Sequence, residues 1–252
     1  MPATACSSWG QNSIVMALNI ALIGYGKMGR EIEAVAVQRG HHIAARVGRE
    51  GMGAHTFSGV DVAIEFTQPD AAFANVHALL AQGIPTVCGT TGWFGRVPEL
   101  DCTQTPLVYA SNFSLGVNIA FQVNRYLAKL IAPHSDYRAD MEEIHHTAKK
   151  DAPSGTAITL AEGILAANPS LNGWALQPGA PEDALPIAAI RKDPVPGTHT
   201  VTYRSAVDQL SLTHVAHSRA GFALGAVVAA ERIQALHAGS HTFASLLFPE
   251  AD

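Results

Sequence analysis

The chain has few cysteines, no excess of basic charge and no long apolar run, and each shortage argues against a class of protein. Its three cysteines, Cys6, Cys88 and Cys102, are widely spaced and form no Cys-x-x-Cys pair, so we expect neither a disulfide framework nor a zinc ribbon. With 16 Lys and Arg against 21 Asp and Glu, nucleic acid is not an expected partner. No apolar run approaches the roughly 20 residues of a membrane span. We therefore expect a soluble cytoplasmic protein without a membrane partner.

The first 16 residues are expected to be a disordered extension of the fold. Residues 1–11 are small and polar, lack periodicity and contain no Lys or Arg, which does not indicate a secretory signal. Met16 lies just before the first apolar segment. Either Met1 or Met16 is therefore compatible with the start of the native protein.

Apolar residues are abundant, at 48% of the chain, which is enough for a sizeable core. Through the first half, short apolar segments alternate with helix-compatible segments. Such alternation predicts a doubly wound parallel sheet, in which ligands bind at the carboxyl ends of the strands. The predicted strands are 17–23, 41–47, 60–66, 85–88 and 107–110, and the predicted helices are 30–38, 69–82 and 116–131.

The second half has a different pattern. Residues 198–204 and 209–216 alternate as antiparallel strands do, and 140–146 is a further predicted strand. Residues 176–197 contain five prolines and are predicted to be mostly loop. A last helix is predicted over 222–237.

A glycine motif follows the first predicted strand directly and opens a helix. Its spacing, Gly-x-Gly-x-x-Gly, suits a tight turn, close backbone approach to a pyrophosphate and close packing of helix on strand. We therefore predict a dinucleotide-binding loop made of Gly24, Tyr25, Gly26, Lys27, Met28 and Gly29.

The residues after the second predicted strand bear on the choice of cofactor. NAD-binding domains usually carry an acid there for the ribose 2′-hydroxyl, whereas this chain has Gly48 followed by Arg49. An arginine without the acid favours a 2′-phosphate, so NADPH is predicted over NADH, and Lys27 would also reach that phosphate. The open alternative is that Glu50 serves as the acid after a small shift of register.

The segment 143–157 has the strongest chemical signal. It places His145, His146, Lys149 and Lys150 ahead of a helix for which Ser154 is a good N-cap. The first-turn N–H groups and the helix dipole favour an anion. Together these features predict a site for a small substrate that carries one or more carboxylates.

We predict no metal site at the histidine pair. Adjacent histidines on a strand point to opposite faces and ligate one ion poorly. The metalloprotease pattern His-Glu-x-x-His is also absent from the sequence.

These motifs make the chain resemble the dihydrodipicolinate reductase family, also called 4-hydroxy-tetrahydrodipicolinate reductases. The most specific match is Glu-Ile-His-His-x-x-Lys-x-Asp-Ala-Pro-Ser-Gly-Thr-Ala at 143–157, and the resemblance extends from residue 17 to about residue 230. Further matches lie at 88–92, 111–118, 197–201 and 218–226. Two features depart from the family pattern: the missing acid after the second strand and the composition of the loop 168–190.

The resemblance implies NAD(P)H-dependent reduction of a cyclic unsaturated dicarboxylate to tetrahydrodipicolinate, in lysine and diaminopimelate biosynthesis. His145 and Lys149 match the family's proposed acid pair. The implied ligands of the substrate carboxylates are His146, Ser154, Gly155 and Thr156. Two other functions stay open: a different two-domain NAD(P) oxidoreductase, and an inactive regulatory protein that senses NADP(H).

The resemblance also implies further cofactor contacts. Phe66 and Thr67 would line the adenosine ribose or the pyrophosphate, and the alternative role for Thr67 is an N-cap before Pro69. The nicotinamide and its ribose would lie beside Gly89, Thr90 and Thr91, under Ala110, Ser111, Asn112 and Phe113.

The expected fold is α/β. A Rossmann-like dinucleotide-binding domain comprises residues 17–112 plus about 222–252. A smaller α+β domain with a mixed sheet, about 113–221, binds the substrate. By resemblance, the sheet of the smaller domain also builds a homotetramer.

Overall fold

The apolar segments of the first half form a parallel sheet, as their alternation with helices predicts. The structure is a computed structural model that describes residues 16–249. Within that part of the chain the first sheet has six strands: β1 (Asn19–Ile23), β2 (His42–Val47), β3 (Val62–Glu65), β4 (Thr86–Cys88), β5 (Pro106–Tyr109) and β11 (Gly239–Thr242). Their order is β11-β5-β4-β3-β1-β2, and all of the pairings are parallel.

Helices cover both faces of this sheet, which explains why its central strands are mostly apolar. Ile20 and Leu22 of β1 contribute to a core that includes residues of α1 and α5, whereas Ala21 and Ile23 contribute to another core with Leu79 of α2. The helices are α1 (Lys27–Gln38), α2 (Pro69–Ala81) and α5 (Ala220–Ile233), and a short α6 (Phe243–Leu247) follows β11.

A second, mixed sheet is formed by the later strands, in the order β10-β9-β6-β8-β7. The central strand β6 pairs antiparallel with β9 and parallel with β8. Two helices, α3 (Leu115–Ile131) and α4 (Gly155–Leu165), share a hydrophobic core with this sheet. The strands are β6 (Arg138–His145), β7 (Trp174–Leu176), β8 (Leu185–Arg191), β9 (Gly197–Arg204) and β10 (Gln209–Ala216).

The prediction of loop over most of 176–197 was wrong for Leu185–Arg191, which is strand β8. Four of the five prolines of this segment lie outside the strand, and the fifth, Pro186, is its second residue. Leu185 and Ile187 are fully buried in the hydrophobic core that the second sheet shares with α3 and α4. Burial of these side chains against the helices therefore favours a strand here, although the proline content predicts a loop.

Other boundaries also moved. The helix expected from residue 30 begins at Lys27, and the last long helix ends at Ile233 rather than at residue 237. Strands β7 and β11 were not expected, since both are short and neither is buried through its length. The predicted extension lies outside the described residues except for Met16, which is exposed.

Among the described helices, none combines the length and the apolar character that crossing a bilayer requires.

Helix α5 packs closely against the loop after β5 at Gly225. A Cβ atom there would lie 1.6 Å from the carbonyl oxygen of Phe113. We expect Gly225→Ala to lower the free energy of unfolding by about 3 kcal/mol through overpacking, measured by urea denaturation. On the same helix, Gly221→Ala is the control, because its Cβ would be 3.8 Å from the nearest atom, Ser114 Oγ. Equal effects of both changes would contradict this packing.

Candidate active site

The turn between β1 and α1 has the geometry that a dinucleotide-binding loop requires. Gly24 has a φ of +99°, and a Cβ there would lie 2.1 Å from the carbonyl oxygen of Phe66. At Gly29 a Cβ would lie 2.5 Å from the Gly24 carbonyl oxygen, whereas at Gly26 it would meet no described atom within 4 Å. Gly26 is the N-cap of α1, and because it is a glycine no side chain caps the first N–H groups of the helix. The helix N-terminus is therefore open to the approach of a phosphate.

The side chains of this loop have different surroundings. Lys27 is exposed, and Met28 packs against the first core. The Tyr25 hydroxyl donates a hydrogen bond to Glu33, which also forms an ion pair with Arg46 of β2. Tyr25 is thus fixed to the α1–β2 side of the loop.

An acid lies at the end of β2 even though Gly48 has no side chain. The Gly48 N–H donates to Glu50 Oε1 at 2.6 Å, and a Cβ added to Gly48 would lie 2.6 Å from Glu50 Oε2. The Glu50 carboxylate therefore occupies the space that a side chain of residue 48 would fill. The hydrogen bond from Gly48 lowers the pKa of Glu50, and Arg49 is exposed beside it.

Hydrogen bonds to the buried carboxylate of Glu65, and one between Thr67 and Thr90, hold together the loops after β3 and β4. Thr67 N–H donates to Glu65 Oε1 at 3.1 Å and to Thr90 Oγ1 at 2.8 Å, and Cys88 Sγ donates to Glu65 Oε2 at 3.0 Å. The Phe66 ring covers Gly89, where a Cβ would lie 2.1 Å from the ring. Thr91 is exposed.

The alternative role of Thr67 as an N-cap was wrong. The N-cap of α2 is Gln68, while the Thr67 hydroxyl donates to the Glu65 carboxylate. The sequence-based prediction assigned Glu65 no role, although a carboxylate inside an otherwise apolar strand indicates such a buried group.

The loop after β5 connects the two sheets. Asn112 Nδ2 donates to Thr156 Oγ1 at 3.1 Å, so a predicted cofactor-binding residue contacts a predicted substrate-binding residue. Ala110 is half-buried and Ser111 is exposed. The Phe113 ring is buried in the core that the first sheet shares with α1 and α5, with its centroid 4.8 Å from that of Phe243. This packing anchors the loop to the core.

Strand register assembles the histidine cluster. Glu143 and His145 lie on one face of β6, where Glu143 pairs with His199 of β9 and His145 pairs with Arg191 of β8. Glu143 Oε2 lies 3.4 Å from His145 Nδ1 and 3.8 Å from His199 Nε2. Its Oε1 accepts from Arg191 Nη2 at 3.1 Å.

The loop between β6 and α4 presents the remaining predicted residues. Lys149 Nζ pairs with Asp151 at 2.8 Å, His146 is half-buried, and Lys150 is exposed. Ser154 caps α4 as predicted, because its Oγ accepts from Ala157 N–H at 3.2 Å. Gly155 is exposed, so the N-terminus of α4 is accessible to an anion.

Three polar residues at this end of the second sheet had no assigned role in the sequence-based prediction. Arg191 lies in the segment that was predicted to be mostly loop. Glu143 was named only as the first residue of the family motif at 143–157, and His199 was assigned no function. The pairing of β6 with β8 and β9 brings them together, and a sequence pattern does not encode that register.

The nitrogens of His145 and His199 and an oxygen of Glu143 lie within 4.8 Å of one another, a donor set that metals also use. Arg191 already occupies the other oxygen of the carboxylate. The positive charge of Lys149 acts unfavourably on a protonated His145. Arg191 and Lys149 would likewise repel a metal cation bound to this cluster. The absence of a metal site stays a prediction, which these two charges support.

Burial and charge shift the pKa values of this cluster. Burial, followed by the charge of His145, lowers the pKa of His199 to about 4. Burial also lowers the pKa of His145, and Glu143 partly offsets this. For Glu143, burial acts upward on the pKa, but hydrogen bonds from Ser154 and Arg191 prevail and lower it.

The pKa of His199 predicts a pH dependence of stability. Between pH 6.5 and about 4 the unfolded chain binds a proton that folded His199 does not, so stability falls as the pH falls through this window. His199→Gln should flatten the dependence by up to about 1.4 kcal/mol per pH unit, seen in melting temperatures at stepped pH. The exposed His77→Gln on α2 is the matched control. An unchanged slope for His199→Gln would contradict the assignment.

Comparisons with known proteins agree with this geometry. The family profile "Dihydrodipicolinate reductase, N-terminus" matches residues 18–113, and "Dihydrodipicolinate reductase, C-terminus" matches residues 116–247. A 4-hydroxy-tetrahydrodipicolinate reductase of Christiangramia forsetii is 49% identical over 224 residues, covering 86% of this chain and 92% of that protein.

More distant relatives give the same result. A 4-hydroxy-tetrahydrodipicolinate reductase of Magnetococcus marinus is 36% identical and covers 70% of this chain and 69% of that protein. The solved structure of a dipicolinate-bound dihydrodipicolinate reductase from Paenisporosarcina sp. TG-14 has the same fold, with a TM-score of 0.72 at 20% identity, and covers 90% of this chain and 98% of that one. The chain therefore belongs to the dihydrodipicolinate reductase family.

Proposed function

We propose that this chain uses NAD(P)H to reduce 4-hydroxy-tetrahydrodipicolinate, or its dehydrated form dihydrodipicolinate, to tetrahydrodipicolinate in lysine and diaminopimelate biosynthesis. The observation that carries the proposal is the Asn112–Thr156 hydrogen bond of 3.1 Å. It joins the loop proposed to cover the nicotinamide to the helix start proposed to bind the substrate. Membership of the family supports the same activity, and no comparison favours a sensor or a different oxidoreductase.

His145 and Lys149 are the proposed proton donors. A bound nicotinamide cofactor supplies the hydride, and the reduced ring then requires one proton. His145 is 7% exposed at the end of β6, and Lys149 is held in the adjoining loop by its pair with Asp151. Both groups therefore belong to the end of β6 and the loop that leads into α4, where a ring with carboxylates would be bound.

The carboxylates of the substrate are proposed to bind at the start of α4. Ser154 fixes the first turn through its bond with Ala157. Gly155 is exposed, and a Cβ there would meet no described atom within 4 Å apart from its chain neighbours and its own helix backbone. The N–H groups of Gly155 and Thr156 are therefore accessible to an anion, and the helix dipole adds to the attraction. His146 would supply a further contact from the preceding loop.

The cofactor is proposed to bind along the carboxyl ends of the first sheet. The loop 24–29 would hold the pyrophosphate, and Phe66 and Thr67 would line the adenosine ribose or the pyrophosphate. The nicotinamide and its ribose would lie beside Gly89, Thr90 and Thr91. Ala110 and Ser111 would cover the ring beside Asn112, with Phe113 supporting this loop from the core.

Two residues are proposed to set the choice between NADPH and NADH. Arg49 would bind a 2′-phosphate and favour NADPH, the preference we propose. The Glu50 carboxylate, folded onto Gly48 at 2.6 Å, would accept from a 2′-hydroxyl and lets NADH bind as well. The preference for NADPH is therefore expected to be moderate.

The division into domains is proposed as predicted, with 17–112 plus about 222–252 binding the dinucleotide and about 113–221 binding the substrate. Residues 113–221 are also proposed to form a homotetramer. Exposed apolar residues on the second sheet support this, namely Ile190, Leu210 and Val215. The three cysteines and the net charge of −5 support a cytoplasmic protein without nucleic acid as a partner.

The proton donors are tested with substrate made in situ from pyruvate and aspartate semialdehyde by a synthase, while nicotinamide absorbance is followed. We expect His145→Gln and Lys149→Ala each to lower kcat by about 100-fold or more, since each removes an acid. The matched control is Lys150→Ala, which removes an exposed lysine one position away and should keep normal activity. A folded wild type that binds cofactor without oxidising it would contradict the reductase and favour the sensor.

Cofactor choice is tested by kcat/KM for NADPH and NADH in two variants that control for each other. Arg49→Ala should lower the NADPH to NADH ratio about tenfold, because a charge-assisted contact with the 2′-phosphate is lost. Glu50→Gln should raise the ratio, because a negative charge near that phosphate is removed. The same ratio in all three proteins would show that neither residue contacts the adenosine ribose.

A further inference from the structure

Glu143 is buried beneath the proposed proton donors, and the reduction as described above gives it no role. Its side chain is 0% exposed in the middle of the second sheet. A buried carboxylate is costly unless its oxygens are bonded and its charge is balanced. Here Arg191 donates to Oε1 at 3.1 Å, and the backbone N–H of Ser154 donates to Oε2 at 3.0 Å.

The same carboxylate faces one specific nitrogen of His145. Oε2 lies 3.4 Å from His145 Nδ1, and Nδ1 is buried with no hydrogen-bond partner among the described residues. On the other side of the ring, Nε2 lies next to Gly197, where a Cβ would be 3.1 Å away. A proton on Nδ1 would therefore point towards Glu143 and leave Nε2 to exchange a proton with the substrate.

Other charged groups that act on His145 come from neighbouring elements. Lys149 and Asp151 face it from the β6–α4 loop, Arg191 from β8 and His199 from β9, while His214 of β10 acts on His199. Burial, Lys149 and Arg191 all oppose a charged imidazole, whereas Glu143 favours it more than Asp151 does. Glu143 is thus the main group that sustains a protonated His145.

We propose that Glu143 is a positioning residue for His145, which holds the Nδ1–H tautomer and so makes Nε2 the proton-donating nitrogen. Its bond to Ser154 N–H joins the donor to the start of α4, where the substrate carboxylates are proposed to bind. One carboxylate thereby sets the relative position of the acid and of the anion site. The inference rests on the proposed function, because His145 acts as a donor only in the reductase reaction.

The kinetic test compares Glu143→Gln with Glu142→Gln across pH. Glutamine keeps the shape but loses the negative charge, and its single carbonyl oxygen accepts from either Arg191 or Ser154 but not from both. We expect kcat to fall about tenfold or more, and the limb on which kcat is lost as His145 deprotonates to move about one unit to lower pH. Glu142 is next on the strand and points to the opposite face, so its variant should match the wild type.

The rescue variant is Glu143→Asp, which restores the charge and should return the limb towards its wild-type position even if kcat stays low. A lower kcat in Glu143→Gln with an unmoved limb would indicate a packing role only and overturn the proposal. Unchanged kcat and an unchanged limb would overturn it as well.

A measurement without turnover separates this inference from the reductase assignment. In protein labelled with ¹⁵N-histidine, the nitrogen shifts of His145, assigned with His145→Gln, report its tautomer and its pKa. We expect the Nδ1–H tautomer in the wild type and a lower pKa in Glu143→Gln. The Nε2–H tautomer in the wild type would overturn the inference whether or not Glu143→Gln folds. An inactive wild type with the Nδ1–H tautomer would instead reject the proposed function alone.

Discussion

The buried carboxylate of Glu143 is the constraint on which the proposed catalytic end of the second sheet depends. Water is excluded from it, so its charge must be balanced by protein groups. These come from three separate elements: Arg191 on β8, the Ser154 backbone at the start of α4 and His145 on β6 itself. Satisfying this one group therefore fixes the relative positions of a strand end, a loop and a helix start.

The first sheet uses a related device at its own carboxyl ends. Glu65 is buried at the end of β3 and accepts hydrogen bonds from Thr67 and Cys88. These bonds hold together two loops proposed to contact the cofactor. In both sheets a buried acid on a central strand organises backbone and side chains that lie just beyond the strand, where ligands bind in parallel α/β structures. The Asn112–Thr156 hydrogen bond then links the two regions.

The region after β2 illustrates how one fold position can be filled in two ways. Gly48 has no side chain, yet the Glu50 carboxylate folds back into the space where one would be. Counting positions along the strand therefore suggested a missing acid, while the three-dimensional arrangement supplies one. Arg49 remains exposed beside it, so opposite charges are adjacent at the place where a ribose 2′ substituent would bind.

The sequence by itself determined the parallel sheet, the glycine turn and the capped helix at Ser154, because local patterns encode them: apolar periodicity, glycines at a fixed spacing and an N-cap side chain. It also determined the family, through the string at 143–157. Only the tertiary structure decided that Leu185–Arg191 is a strand, that Phe113 is a core residue and that Glu143, Arg191 and His199 surround His145. Each of these depends on strand register or on burial between distant segments. Local sequence patterns encode neither register nor such burial.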